Sequence, residues 1–171
     1  MPQVHAITAA NRFIQLGIAN GNLIDPMKLQ KLVYIAHGWS LAKVGTGMIR
    51  ESVEAWPYGP VVPSLYTTFK NYRSSNIDAP VVFYESQRSF NAVDEQNIEG
   101  VWDEYRKWTA IQLSMLTHEK GSAWDLTRKI SGHGGPYSSP TIPASLIRDE
   151  FQRRLQGSGS LSAPGGQTTS S

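Results

Sequence analysis

Residues 27–45 read MKLQKLVYIAHGWSLAKVG. Asp25 and Pro26 in front of this stretch make an N-cap followed by a first helical residue. Lys43 and Gly45 supply a last-turn cation and a stop at the other end. The stretch is therefore read as one helix. Leu29, Leu32, Val33, Ala36 and Trp39 form one face, and Gln30, Tyr34, His37 and Leu41 run beside it. Lys28 and Lys31 are the only charges before Lys43. A helix that is apolar almost all round belongs inside a core. Its polar side chains then need internal partners, because an unpaired buried group costs about 1–3 kcal/mol.

Working outward, His5 to Ala19 carry Ile7, Ala10, Phe13 and Ile14 at helical spacing, ahead of a stop at Gly21. After the central helix, Met48-Ile49 and Val53-Ala55 are short apolar pieces and are read as a small hairpin. Pro57, Gly59 and Pro60 are taken to forbid regular structure until Pro63 starts a helix with Leu65, Tyr66, Phe69 and Tyr72. Val81 to Tyr84 look like a strand within an irregular stretch. Asp94 is expected to cap a helix bearing Ile98, Val101, Trp102 and Tyr105, and Thr109 to open one with Ile111, Leu113 and Leu116. Ser122 and Asp125 have capping-box spacing, SGHGGPYSSP reads as a loop, and Pro143 begins the last helix. These elements predict a mainly α, compact helical domain over residues 1–156, around a buried central helix, with a small β-hairpin. The Gly/Ser-rich residues 157–171 are expected to be a disordered tail.

Composition excludes several functions. A chain of 171 residues with 40% apolar and 18% charged residues can build a core. A net charge of +2 with scattered basic residues argues against nucleic acid. The absence of Cys removes thiol chemistry and Cys-based metal sites. No run approaches the roughly 18 apolar residues of a membrane span, and the N-terminus has no signal-peptide pattern, so a cytoplasmic protein is expected. His5, His37, His118 and His133 form no HExxH pattern, and GHGGP lacks the Lys-Ser/Thr of a phosphate loop. No metal, cofactor or catalytic set is expected.

EAWPYGPVVP, residues 54–63, is the second informative stretch. Its prolines make a rigid aromatic turn, which is either a structural corner or a pre-organised binding edge. Trp56 has the apolar area of a core residue and is expected to point inward. Tyr58 is expected to point out, with Pro57, Gly59 and Pro60 completing a partner-binding surface.

The two stretches together resemble the Panacea domain family, which includes phage-associated proteins of the GepA type. The resemblance rests on Lys28, Leu29, Gln30, Lys31, Leu32, Tyr34, Ala36, Gly38 and Trp39 in the helix. In the turn it rests on Glu54, Ala55, Trp56, Gly59, Pro60 and Val61, and later on Leu113, Leu116, Thr117, His118 and Trp124. Arg106-Lys107-Trp108 depart from the family, where a glycine turn is common. The resemblance implies a mainly helical domain with a hairpin and an antitoxin role, in which a cognate protein toxin encoded by an adjacent gene is bound and neutralised. It supplies no catalytic residues. Two other readings stand beside it: a phage or prophage accessory protein that binds another host or phage target, and an enzyme with a site near His37, Glu54 or His118. A nucleic-acid role ranks below these and would show as salt-dependent binding.

The helix reading carries its own test. Trp39→Ala should lower unfolding free energy by about 3–5 kcal/mol, read as a shift in denaturant midpoint. An unchanged midpoint would place Trp39 outside the core.

Overall fold

The computed structural model describes residues 3–82, 90–131 and 139–157. In chain order the elements are α1 (Ala6–Ala19), α2 (Pro26–Val44), β1 (Glu54–Trp56), β2 (Gly59–Val61) and α3 (Pro63–Phe69) with a 3-10 turn at Lys70–Tyr72. They are followed by α4 (Ala92–Tyr105), α5 (Ala110–Thr117), α6 (Ala123–Ile130) and α7 (Ala144–Gly157). The protein is mainly helical, with one two-stranded antiparallel sheet among the described residues.

Helix α2 is the axis. The Asp25 carboxylate accepts the Lys28 N–H at 2.8 Å, and Pro26 takes the first helical position, where no N–H is needed. Gly45 ends the helix at φ 85°, a left-handed conformation that glycine adopts without penalty. Every residue from Lys28 to Leu41 is buried. Helices α1, α3, α4, α5 and α7 and strand β2 all pack on α2.

The α2–α7 contact is the tightest. The Phe151 ring lies directly over Gly38, where a Cβ would fall 2.3 Å from Phe151 Cε2. Trp39 and Tyr34 meet the same ring edge-on, at centroid distances of 5.1 and 5.9 Å. Gly38 thus lets α7 approach closely, while its neighbours clamp the ring.

Most polar groups of the buried helix find partners, as burial demands. The Gln30 amide donates to the Val62 carbonyl and accepts the Val62 N–H, each at 3.0 Å. His37 Nδ1 accepts the Ile49 N–H at 3.3 Å, and Ser40 Oγ donates to the Thr46 carbonyl at 2.7 Å. Lys28 and Asn22 both donate to the Arg106 carbonyl, which anchors the end of α4, while Trp108 stacks edge-on against Tyr105 at 4.9 Å. The Tyr34 hydroxyl differs from expectation: it is buried without a hydrogen-bond partner. Near it, Glu150 accepts the Ala123 N–H at 2.6 Å and an Arg154 N–H at 3.2 Å.

Three local expectations are corrected. The hairpin pairs Glu54–Trp56 with Gly59–Val61 instead of Met48-Ile49 with Val53-Ala55. Pro60 is tolerated in a strand because it faces Ala55, whose own N–H points away to the Pro140 carbonyl; no donor is required of Pro60 there. Ile49 instead makes an isolated bridge with Val4. Asn91, not Asp94, caps α4: its side chain accepts the Asp94 N–H at 2.9 Å and donates to the Asp94 carboxylate. Val81 and Val82 are not in a strand; Val81 exchanges backbone hydrogen bonds with the Asn11 side chain at 2.8 Å. Phe83 and Tyr84, positions 132–138 of the SGHGGPYSSP loop and tail positions 158–171 lie outside the described residues.

Gly38→Ala should destabilise the fold by about 1–3 kcal/mol through the clash with Phe151. A Gly38→Ala/Phe151→Leu double variant should recover part of that loss in a thermodynamic cycle. Full additivity would mean the two sites do not press on each other.

The buried His37 ring predicts acid sensitivity. Burial lowers its pKa from 6.5 to about 4, so the unfolded chain binds this proton at a higher pH than the folded chain. Stability is therefore lost as pH falls from about 6.5 to 4, by about 3 kcal/mol in all. Glu150 and Asp94, whose carboxyls burial pushes up, act in the opposite sense. The His37 contribution is therefore read as the difference between wild type and His37→Gln in urea titrations across that range. Parallel pH profiles would show that His37 keeps its ordinary proton affinity.

Candidate protein-binding groove

The hairpin turns through Pro57 and Tyr58, and Gly59 follows at φ 119°, a backbone geometry that side chains disfavour. A Cβ on Gly59 would also lie 3.0 Å from Lys31 Nζ. Side chains from three helices grip the backbone carbonyls of this segment. Arg128 of α6 donates to the Ala55 carbonyl at 2.8 Å, and Trp124 Nε1 of α6 to the Trp56 carbonyl at 2.6 Å. Ser114 of α5 donates to the Tyr58 carbonyl at 2.9 Å, and Lys31 of α2 to the Pro60 carbonyl at 2.9 Å. Gln30 continues the series at Val62. Pro57 and Pro60 contribute carbonyls without N–H groups.

Four of the residues that carry the family resemblance, Gln30, Lys31, His118 and Trp124, serve the hairpin. Gln30, Lys31 and Trp124 bond it directly. His118 braces Trp124 edge-on at 5.3 Å while its Nδ1 meets the Ser114 carbonyl. Thr117 is buried and back-bonds to the Leu113 carbonyl at 2.9 Å. Leu29, Leu32, Ala36 and Ala55 are core.

Beside the turn runs an apolar trough of about 540 Å³ between the start of α2, the hairpin and α3. Leu29, Leu65 and Phe69 are its buried base. Trp56, Tyr58, Tyr66 and Met27 stand along it, and the last three are 80%, 50% and 44% exposed. Its volume falls in the range of true binding clefts. Trp56 departs from the expected inward position. It is half-buried in the trough wall, edge-on to Tyr66 at 4.9 Å, with its indole N–H donated to the Glu54 carboxylate at 2.7 Å. The indole N–H needs an acceptor, and Glu54 supplies one only at the surface. Pro57 and Tyr58 line the trough, whereas Gly59 and Pro60 are buried behind the turn on Lys31.

The trough's charges are all positive: Lys31, Lys70 and Arg73. Lys31 is buried, and desolvation lowers its pKa to about 8. Arg73 takes a left-handed φ of 54° after the 3-10 turn. Tyr66, Met27 and the three cations were not among the expected contact residues. Tyr66 has the helical spacing of a core residue, and only the placement of α3 at the rim turns it outward.

The other chemical candidates are separately engaged. His37 is tied to Ile49, Glu54 to Trp56, and His118 to Ser114 and Trp124. Among the described residues no group of His, Cys, Asp and Glu is placed to hold a metal ion, and no helix is long and apolar enough to cross a membrane.

Comparison with known proteins agrees with the resemblance read from the two motif stretches. Antitoxin SocA of Caulobacter vibrioides (strain NA1000 / CB15N) is 28% identical to this chain over 131 residues, covering 72% of this chain and 70% of that protein. No solved structure gives a significant match. Residues 29–125, from the second turn of α2 into α6, match the family described as Antitoxin SocA-like, Panacea domain, and the chain belongs to that family.

Proposed function

We propose that this protein is an antitoxin that neutralises a cognate toxin, encoded by a neighbouring gene, through stoichiometric protein–protein binding. The family relationship supports a toxin partner in general. The observation that carries the binding mode is the braced turn: Tyr58 is 80% exposed, beside a trough walled by Trp56 and Tyr66, on a backbone held from α2, α5 and α6. Aromatic side chains on a pre-organised backbone are favoured interface anchors, because little ordering remains to be done on association. Pro57, Tyr58, Trp56 and Tyr66 make the contact, and Gly59 and Pro60 set the turn. The separate engagement of His37, Glu54 and His118 favours binding over turnover.

Neighbouring reading frames, expressed one at a time, should include one that arrests growth and is rescued by co-expression of this chain. Titration of that purified product should saturate near a fixed ratio. Tyr58→Ala should weaken the complex by about 1–2 kcal/mol or more with little change in melting temperature. If no toxic neighbour is rescued, or if inhibition occurs far below stoichiometry with a covalent change on the target, the proposal fails. Normal binding by a folded Tyr58→Ala variant moves the interface elsewhere.

A further inference from the structure

Lys31 stands out among the groups that hold the hairpin. It is 3% exposed, and its ammonium lies beneath the Gly59–Pro60 backbone with the Pro60 carbonyl as hydrogen-bond acceptor. Among the described residues no carboxylate pairs with it. An ammonium has three donors to place, and a buried charge without a counter-charge is costly. If the task were only to hold a carbonyl, a neutral amide would do it, as the preceding residue, Gln30, does for Val62. Lys31 also lines the trough, together with Lys70 and Arg73, and no Asp or Glu shares that lining. Apart from Gln30, the remaining lining is apolar and aromatic.

We propose that the trough takes an acidic–apolar segment of the partner protein, with a large apolar side chain seated against Leu65, Phe69 and Tyr66 and a nearby Asp or Glu carboxylate accepting from Lys31. Lys70 and Arg73, toward the α3 end, favour further acidic residues on the same segment. Charge complementarity decides the occupant: the apolar base selects a side chain, and the unmatched cation selects its neighbour. A desolvated ion pair formed in this way would discriminate strongly against a neutral isostere. The inference deepens the reading of the trough as a partner-binding surface and rests on it.

Panning a random displayed-peptide library on the full chain tests the chemistry without a known toxin. Peptides enriched on wild type, and lost on Tyr66→Ala, should share an apolar residue with Asp or Glu close by. Synthetic copies with Asn or Gln in place of the acid should bind wild type about thirtyfold or more weakly. That difference should collapse on Lys31→Gln, which keeps a donor for Pro60, and on Lys31→Met. It should persist on Lys107→Met, an exposed lysine outside the trough. Enriched peptides without acids, no Tyr66-dependent enrichment, or equal binding of acid and amide peptides by wild type would overturn the inference. So would Lys31-dependent binding of a single-stranded thymidine oligonucleotide without peptide selection, which would assign the cation to phosphate. Acidic–apolar selection without rescue of any toxic neighbour would leave the trough chemistry standing and remove the antitoxin reading. Rescue that is indifferent to Lys31→Gln and Tyr66→Ala would do the reverse.

Discussion

Complete burial of α2 obliges the rest of the chain to come to it. A helix satisfies its own backbone, but its buried Gln30, Lys31, His37 and Ser40 must be met by groups from elsewhere. The groups that meet them are backbone atoms of the hairpin and of the loops around it: Pro60 in β2, and Val62, Ile49 and Thr46 outside the helices and strands. Side chains on a buried helix thereby fix the non-helical segments. Asn11 on α1 does the same for Val81. The polar residues of α2 are the means by which a helical core dictates the course of its loops.

The hairpin shows what that arrangement gives. A two-stranded ribbon alone is marginal in water. Here its carbonyls are held in turn by Arg128, Trp124, Ser114, Lys31 and Gln30, and the outer edge of β1 is closed by the segment around Pro140 and Thr141. The exposed Tyr58 ring is therefore carried on a backbone with little freedom left. Rigidity at this corner comes from long-range donors as much as from its prolines.

Much of the fold was legible because helix ends are written locally. Asp25-Pro26 with Gly45, and Thr109, mark helix ends within a few residues, and the structure realises both, with Gln112 completing a capping box at Thr109. The buried character of α2 was legible from the near-absence of charge. Strand pairing was not, because which of two short apolar pieces pairs with what depends on donors from α5 and α6 far along the chain. Asn91 and Asp94 could each cap α4, and the competition is settled by which one stands outside the helix. The trough was invisible for a related reason: Met27, Trp56, Tyr66 and Arg73 have no common spacing and meet only in three dimensions. Trp56 misled because its apolar area suggests core, while its indole N–H is drawn to Glu54.

The close approach of Phe151 to Gly38 also bears on how the protein is made. The face of α2 that carries Tyr34, Gly38 and Trp39 is covered by α7, the last described helix. During synthesis that face leaves the ribosome well before α7 and stays bare until α7 has been translated. Contacts between segments so distant in sequence close slowly, and an uncovered apolar helix invites chaperones and proteases in the interval. Closure over α2 therefore waits on translation through α7: a ribosome that stalls before α7 yields a chain whose central helix lacks this cover.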